Sequence, residues 1–273
     1  MPFVSASITR RMVKMADEKL YGIHPVLEAL QEERRSISRI FVSRQRRDPS
    51  VQRLLGLAAQ RSIPVVEVDR AQLQQLSGNG THQGVVALVK PLPSPSWSEV
   101  LASLKTTLGP QTVLCLDNVT DVGNFAALIR SAAAFGVQTI LLPRHEAVSV
   151  TATVAKRSAG ALERMGIVRV GNLVQALEAL KQDGFWVYGA DTQGTTAVAQ
   201  MDWPERLVLV LGAEGRGIRR LVRQYCDGFI RIPMHAAMNS LNVATAGAII
   251  LAYCWDCRTV SISAQTLHEE RAR

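Results

Sequence analysis

The stretch Leu207-Val208-Leu209-Val210-Leu211-Gly212-Ala213-Glu214-Gly215-Arg216-Gly217 runs apolar without alternation, then becomes glycine-rich around one carboxylate. A strand apolar at every position is buried on both faces, which points to a parallel sheet covered by helices. β-rich runs recur at residues 112–119, 139–143, 186–190 and 229–232. Helical patterns fall between and after them at 125–135, 173–182, 218–225 and 241–253, and Gly136 and Gly184 follow two of these where a left-handed cap is expected. The C-terminal part therefore reads as an α/β domain that binds its ligands at the carboxyl ends of its strands.

Upstream, helical patterns at 25–31 and 51–60 alternate with an apolar run at 40–42, a β-branched run at 63–68 and a strand signal at 84–89. These describe a second, smaller α/β unit. Residues 91–98 hold three prolines and three serines, and proline removes backbone donors and restricts its neighbours, so neither helix nor strand is expected there. The expected organisation is a disordered leader at 1–16, an N-terminal domain at 17–90, a linker at 91–108, a larger α/β domain at 109–258 and a tail at 259–273. Residues 1–16 carry Arg10, Arg11 and Lys14 but no acid, so a transit peptide is the other reading, and Met12 and Met15 are alternative starts.

The chain has 31 Lys+Arg against 23 Asp+Glu, a formal charge of +8, which favours a polyanionic partner. Arg34, Arg35, Arg39, Arg44, Arg46 and Arg47 crowd one short stretch, which reads as a nucleic-acid surface or as a solvated basic face. The four cysteines, Cys115, Cys226, Cys254 and Cys257, are too scattered for a disulfide scaffold and fit a reducing, cytoplasmic setting. Cys254 and Cys257 form a lone CxxC without the further ligands of a structural zinc, so no metal is expected. No apolar run is long enough to span a bilayer, and no membrane partner is expected.

Three strand ends carry polar text. The first is Asp117-Asn118-Val119-Thr120-Asp121-Val122-Gly123-Asn124, followed by Arg130 on a helix of Ala, Leu, Ile and Phe. Asn124 reads as helix cap or as site residue; Arg130, on a helix expected to be buried, needs a partner. The second is the opening stretch, whose GxxGxG spacing is neither the dinucleotide fingerprint nor the phosphate loop, and whose Glu214 offers an acceptor. The third is Ile232-Pro233-Met234-His235-Ala236-Ala237-Met238-Asn239-Ser240-Leu241-Asn242-Val243, where Ser240 can cap the following helix and Asn242 lies just inside it.

In order and separation these segments resemble the three signature motifs of the SpoU (TrmH) methyltransferases. The resemblance extends through residues 153–163 and reaches Tyr21-Gly22-Ile23-His24 and His82-Gln83-Gly84-Val85, covering about residues 20–255. The two-domain arrangement looks most like the subgroup that modifies ribosomal RNA. Val122 departs from the family's proline, and Ala126 and Ala236 from its glycines.

The resemblance implies a C-terminal SPOUT α/β knot, a deep trefoil with a parallel sheet, beside a small N-terminal α/β RNA-binding domain like the ribosomal-protein L30 fold. It also implies S-adenosyl-L-methionine as cofactor, transfer of its methyl group to a ribose 2′-hydroxyl of structured RNA, most of all large-subunit ribosomal RNA at a guanosine, and a homodimer. Arg130, Asn124, Glu214, Ser240 and Asn242 are then the expected catalytic residues, with Glu214 orienting Arg130. Leu211, Gly212, Glu214, Gly217, Ile232, Met234, Leu241 and Asn242 are the expected cofactor contacts. Arg39, Arg44, Arg46, Arg47, His24, His82 and Gln83 are the expected RNA contacts. A transfer RNA ribose methyltransferase, a weakly active or inactive RNA-binding protein on the same scaffold, and a nucleotide-dependent oxidoreductase remain the alternatives.

Overall fold

The structure is a computed structural model that describes residues 17–46, 48–78, 80–145 and 147–271, with side chains as far as residue 259. The leader and Arg47 lie outside the described residues. Two compact units divide the chain: one takes the N-terminal residues up to Pro93 together with Thr151–Glu163, the other Ser94–Val150 and the chain from Arg164 onward.

The first unit follows the order β1 (Glu18–Tyr21), α1 (Ile23–Glu32), β2 (Ile37–Ser43), α2 (Pro49–Gln60), β3 (Val65–Val68), α3 (Arg70–Ser77) and β4 (Val85–Val89). Its described sheet has the order β1-β4-β2-β3, with β4 antiparallel to β1 and β2, and β2 parallel to β3. Asp48 caps α2 just before Pro49, whose missing N–H costs nothing at a helix start. Asp69 and Gln72 form a reciprocal capping box on α3, a helix the sequence reading had not separated from its surroundings.

The second unit continues with α4 (Trp97–Thr106), β5 (Gln111–Asp117), α5 (Val122–Ala134) and β6 (Thr139–Pro143). The chain then makes α6 (Ala152–Arg157), which belongs to the first unit, and returns as β7 (Gly166–Val170), α7 (Leu173–Gln182), β8 (Trp186–Ala190), β9 (Thr196–Ala197), β10 (Arg206–Gly212), α8 (Arg220–Gln224), β11 (Gly228–Arg231) and α9 (Val243–Arg271). The described sheet has seven strands in the order β7-β6-β5-β10-β8-β11-β9. Every pairing within it is parallel, so all its carboxyl ends share one edge. Leu207 to Leu211 are each at most 1% exposed, as the unbroken apolar run requires. Val208 and Val210 meet Leu177, Leu180 and Phe185. On the α9 side, Gly247 lets the helix close in: a Cβ there would stand 2.6 Å from Leu128 and 2.7 Å from Leu211.

Three expectations change. Residues 91–108 hold α4, because Ser96 and Glu99 form a capping box directly after the prolines and overcome their local disruption. The last helix starts at Val243 and continues to Arg271, through the stretch read as a tail. Residues 151–163 were read as part of the catalytic domain, yet they pack into the first unit. There Glu163, fully buried, accepts from Arg35 Nε at 2.9 Å and pairs with its Nη2, and Arg34 donates to the Glu163 carbonyl at 3.1 Å. Arg35 is therefore turned inward, because a buried carboxylate must be matched by charge, and the half-buried Arg34 is drawn to the same residue.

Candidate active site

Asp117, fully buried at the carboxyl end of β5, accepts from the backbone N of Arg219 at 2.8 Å and from its Nε at 2.7 Å. This pair ties the first polar loop to the glycine turn after β10. Ala213 and Gly217 close that turn with paired backbone bonds of 3.2 and 2.8 Å. Gly212 must be glycine, since a Cβ there would meet the Gly217 carbonyl carbon at 2.2 Å.

Glu214 projects from this turn and gathers the other two loops. Its Oε1 accepts from Asn124 Nδ2 at 3.1 Å, from Asn242 Nδ2 at 2.6 Å and from the Val243 backbone N at 3.4 Å. Asn242 Nδ2 also donates to Asn124 Oδ1 at 2.8 Å. Three residues from three separate segments, Asn124 in the first turn of α5, Glu214 in the glycine turn and Asn242 at the start of α9, thus form one hydrogen-bonded cluster, though 118 positions separate Asn124 from Asn242. The amide of Asn242 is used at both ends: its Oδ1 accepts from Ala244 N at 3.0 Å and Thr245 N at 3.2 Å, capping α9. Asn242, not Ser240, is therefore the cap, and Asp121, not Asn124, caps α5, accepting from Asn124 N at 2.7 Å.

Beside the cluster lies a cavity of about 650 Å³, lined by all eight expected cofactor contacts, Leu211, Gly212, Glu214, Gly217, Ile232, Met234, Leu241 and Asn242, and by Ser240. The sequence reading missed Ala190, Asp191 and Thr192, which also line it. They follow β8, so the rule that ligands sit at carboxyl ends of parallel strands was the signal that could have found them. Burial pushes the Asp191 carboxyl up, but its bonds with Arg223 and the Gln193 N–H outweigh this and hold it below the ordinary value, keeping it ionised. Asp191 and Glu214 are the charged side chains of the lining; no Lys or Arg lines it among the described residues.

Arg130 departs from expectation. It is exposed on α5, opposite the buried Phe125, Leu128, Ile129 and Ala132, and it is absent from the cavity lining. Among the described residues Glu214 is held by Asn124, Asn242 and Val243 and makes no hydrogen bond to Arg130. Alanine-rich text makes this helix look buried, yet Ala127 and Ala134 share the exposed face. The departures from the family pattern are accommodated: Val122 is the first residue of α5, and neither Ala126 nor Ala236 has positive φ. Among the described residues no group of three or more His, Cys, Asp or Glu side chains gathers as a metal site.

In the first unit, Arg46, His82 and Gln83 line a cavity of about 570 Å³ with Arg70. Arg46 pairs with Asp48 and donates to the Gln83 carbonyl, while Lys156 donates to Gln83 Oε1. Burial, then the nearby Arg70 and Lys156 charges, hold the His82 imidazole below its usual pKa. Arg39, Arg44 and His24 are exposed and do not line this cavity.

The profile of the SpoU rRNA Methylase family matches residues 111–252, and that of RNA 2′-O ribose methyltransferase substrate binding matches residues 19–95. A 23S rRNA (guanosine-2′-O-)-methyltransferase RlmB of Pseudomonas aeruginosa is 40% identical over 236 residues, covering 86% of this chain and 94% of its own. The protein of that name from Pseudomonas putida is 38% identical over the same share of both chains. Among solved structures, the SpoU methyltransferase AviRb from Streptomyces viridochromogenes in complex with AdoMet superposes with a TM-score of 0.72, covering 89% of this chain and 90% of its own; at 22% identity this is a likeness of fold. With both profiles matched, the first over more than half of the chain, and the three polar segments drawn together, the chain belongs to the SpoU rRNA methylase family.

Proposed function

We propose that this protein transfers the methyl group of S-adenosylmethionine to a ribose 2′-hydroxyl of RNA. The proposed substrate is a guanosine of 23S ribosomal RNA, as the relatives' names suggest, and the proposed compartment is the cytoplasm. The observation that carries the reading is the Asn124–Glu214–Asn242 cluster beside a cavity of about 650 Å³. That volume suits a cofactor-sized ligand. The lining suits this one: apolar side chains and close backbone can hold an adenosine, and the carboxylate of Glu214, which makes no ion pair among the described residues, favours a cationic ligand, whereas Asp191 is already paired with Arg223. A phosphate-bearing nucleotide would find no cationic side chain there, which disfavours the oxidoreductase reading.

When bound, S-adenosylmethionine supplies an electrophilic methyl group. The residues of the chain have to hold the ribose oxygen in line with it, about 3 Å away, and manage its proton. Arginine stays protonated in proteins, so Arg130 is proposed to bind the adjacent phosphate and the 2′-oxygen, stabilising developing negative charge while the proton leaves to phosphate or water. Asn124, Ser240 and Asn242 are proposed to fix the ribose and the loops. Because Arg130 stands outside the cavity lining, we propose a homodimer in which a second copy completes the site. The exposed Tyr253 and Trp255 of α9 support such a contact.

Incubation with methyl-labelled cofactor and deproteinised 23S rRNA tests the reading. Label is expected in ribose, and sedimentation is expected to give a dimer. Arg130→Lys, which keeps the charge but loses the planar fork, is expected to lower kcat at least tenfold. Label appearing only in bases would refute the assignment.

A further inference from the structure

A second cavity of the large-sheet unit, of about 500 Å³, opens on the same carboxyl edge of its sheet, and its lining runs from Pro143 and His145 at and after the end of β6, past Asn172 after β7, to Arg219, Arg220 and Leu221. We infer that this cleft holds a phosphodiester of the substrate RNA flanking the methylated nucleotide, extending the RNA footprint onto the methyltransferase unit. The inference rests on the function proposed above.

Charge supports it first. His145, Arg219 and Arg220 line the cleft and no carboxylate does among the described residues, the reverse of the cofactor cavity. Arg220 is exposed, as is Arg144 between Pro143 and His145 in the chain, and neither makes an ion pair among the described residues. Arg219 is already held by Asp117, which fixes one wall rather than offering a free charge. The start of α7 adds little, because Asn172 Oδ1 already accepts from Val174 N and Gln175 N.

Shape and position support it next. Leu221 is 59% exposed beside buried Pro143 and Leu173, an apolar wall on which a base or ribose can lie while its phosphate meets the arginines. The two cavities share one turn: Gly217 lines the first, and Arg219 lines the second. A strand of RNA presenting its ribose at the first cavity therefore has a cationic path along the sheet edge.

The test titrates full-length protein with deproteinised 23S rRNA across a salt series, comparing wild type with Arg144→Glu/Arg220→Glu. The double variant is expected to bind RNA about tenfold more weakly, with a log–log salt slope shallower by about one to two, since each lost phosphate contact removes released counterions. KM for RNA is expected to rise with little change in kcat, while cofactor affinity and melting temperature stay at wild-type values. Arg144→Gln/Arg220→Gln, which brings in no new charge, is expected to fall between the two and decides the matter if charge reversal disturbs folding. RNA affinity and salt slope unchanged in these variants, with wild type methylating RNA normally, overturn the inference alone. Wild-type protein that methylates no RNA overturns the function proposed above and this inference with it.

Discussion

Asn242 shows how much one side chain can couple. Its oxygen caps α9 and its nitrogen joins Glu214 and Asn124, so a helix start and a polar site share one amide. Asn242→Asp keeps the capping oxygen but sets a carboxylate against Glu214. It is expected to melt near wild type while cofactor affinity falls at least tenfold. Asn242→Ala is expected to lose about 1 kcal/mol of stability as well as affinity. Parallel melting curves and calorimetric titrations separate the two effects. That Asn124, Glu214 and Asn242 converge was legible in the sequence, because each follows the carboxyl end of a buried strand and parallel strands bring those ends to one edge. Which residue caps α9 was not legible, since Ser240 and Asn242 are both good caps and only the true first turn chooses between them. Arg130 was misjudged for a related reason: alanine is as content exposed as buried, so an alanine-rich helix hides its solvent face.

Among the elements, the buried strands were the easiest to read, because uninterrupted apolar text leaves a covered parallel sheet as the economical solution. The excursion at 151–163 was not readable. Its allegiance depends on Arg35 meeting Glu163, residues 128 apart in the chain. Glu163→Ala is expected to lower stability by about 3–5 kcal/mol, because it leaves Arg35 buried with only the partly exposed Glu18 at 3.3 Å. Replacing both with hydrophobic residues, as Arg35→Met with Glu163→Leu, is expected to recover most of that loss in thermal melting. The linker at 91–108 was misjudged because three prolines drew attention from the Ser96–Glu99 capping signal immediately after them.

For the whole molecule, charge is distributed by task. The net charge of +8 pointed to RNA, but of the arginine cluster Arg34 and Arg35 turn to Glu163, while Arg39 and Arg44 are exposed. His82 gives this distribution a pH signature. Its folded pKa lies below the ordinary 6.5, so the stability it contributes is present above that value and is lost as pH falls through the folded pKa. Melting temperature is expected to drop on acidification below about pH 6.5, and His82→Gln is expected to flatten that part of the profile. RNA phosphate near the cavity would raise the His82 pKa again, so NMR titration of this histidine with and without RNA is expected to show an upward shift.

The most direct test of the account is a nucleotide-resolution map of 2′-O-methylation in 23S rRNA after reaction with the wild type and with Glu214→Gln. The account predicts ribose methylation at one guanosine by the wild type. It predicts at least tenfold slower methylation by Glu214→Gln, whose amide keeps the acceptor but loses the charge that strengthens three converging hydrogen bonds. Methylation at equal rates by both proteins, or no ribose methylation by the wild type, would contradict it.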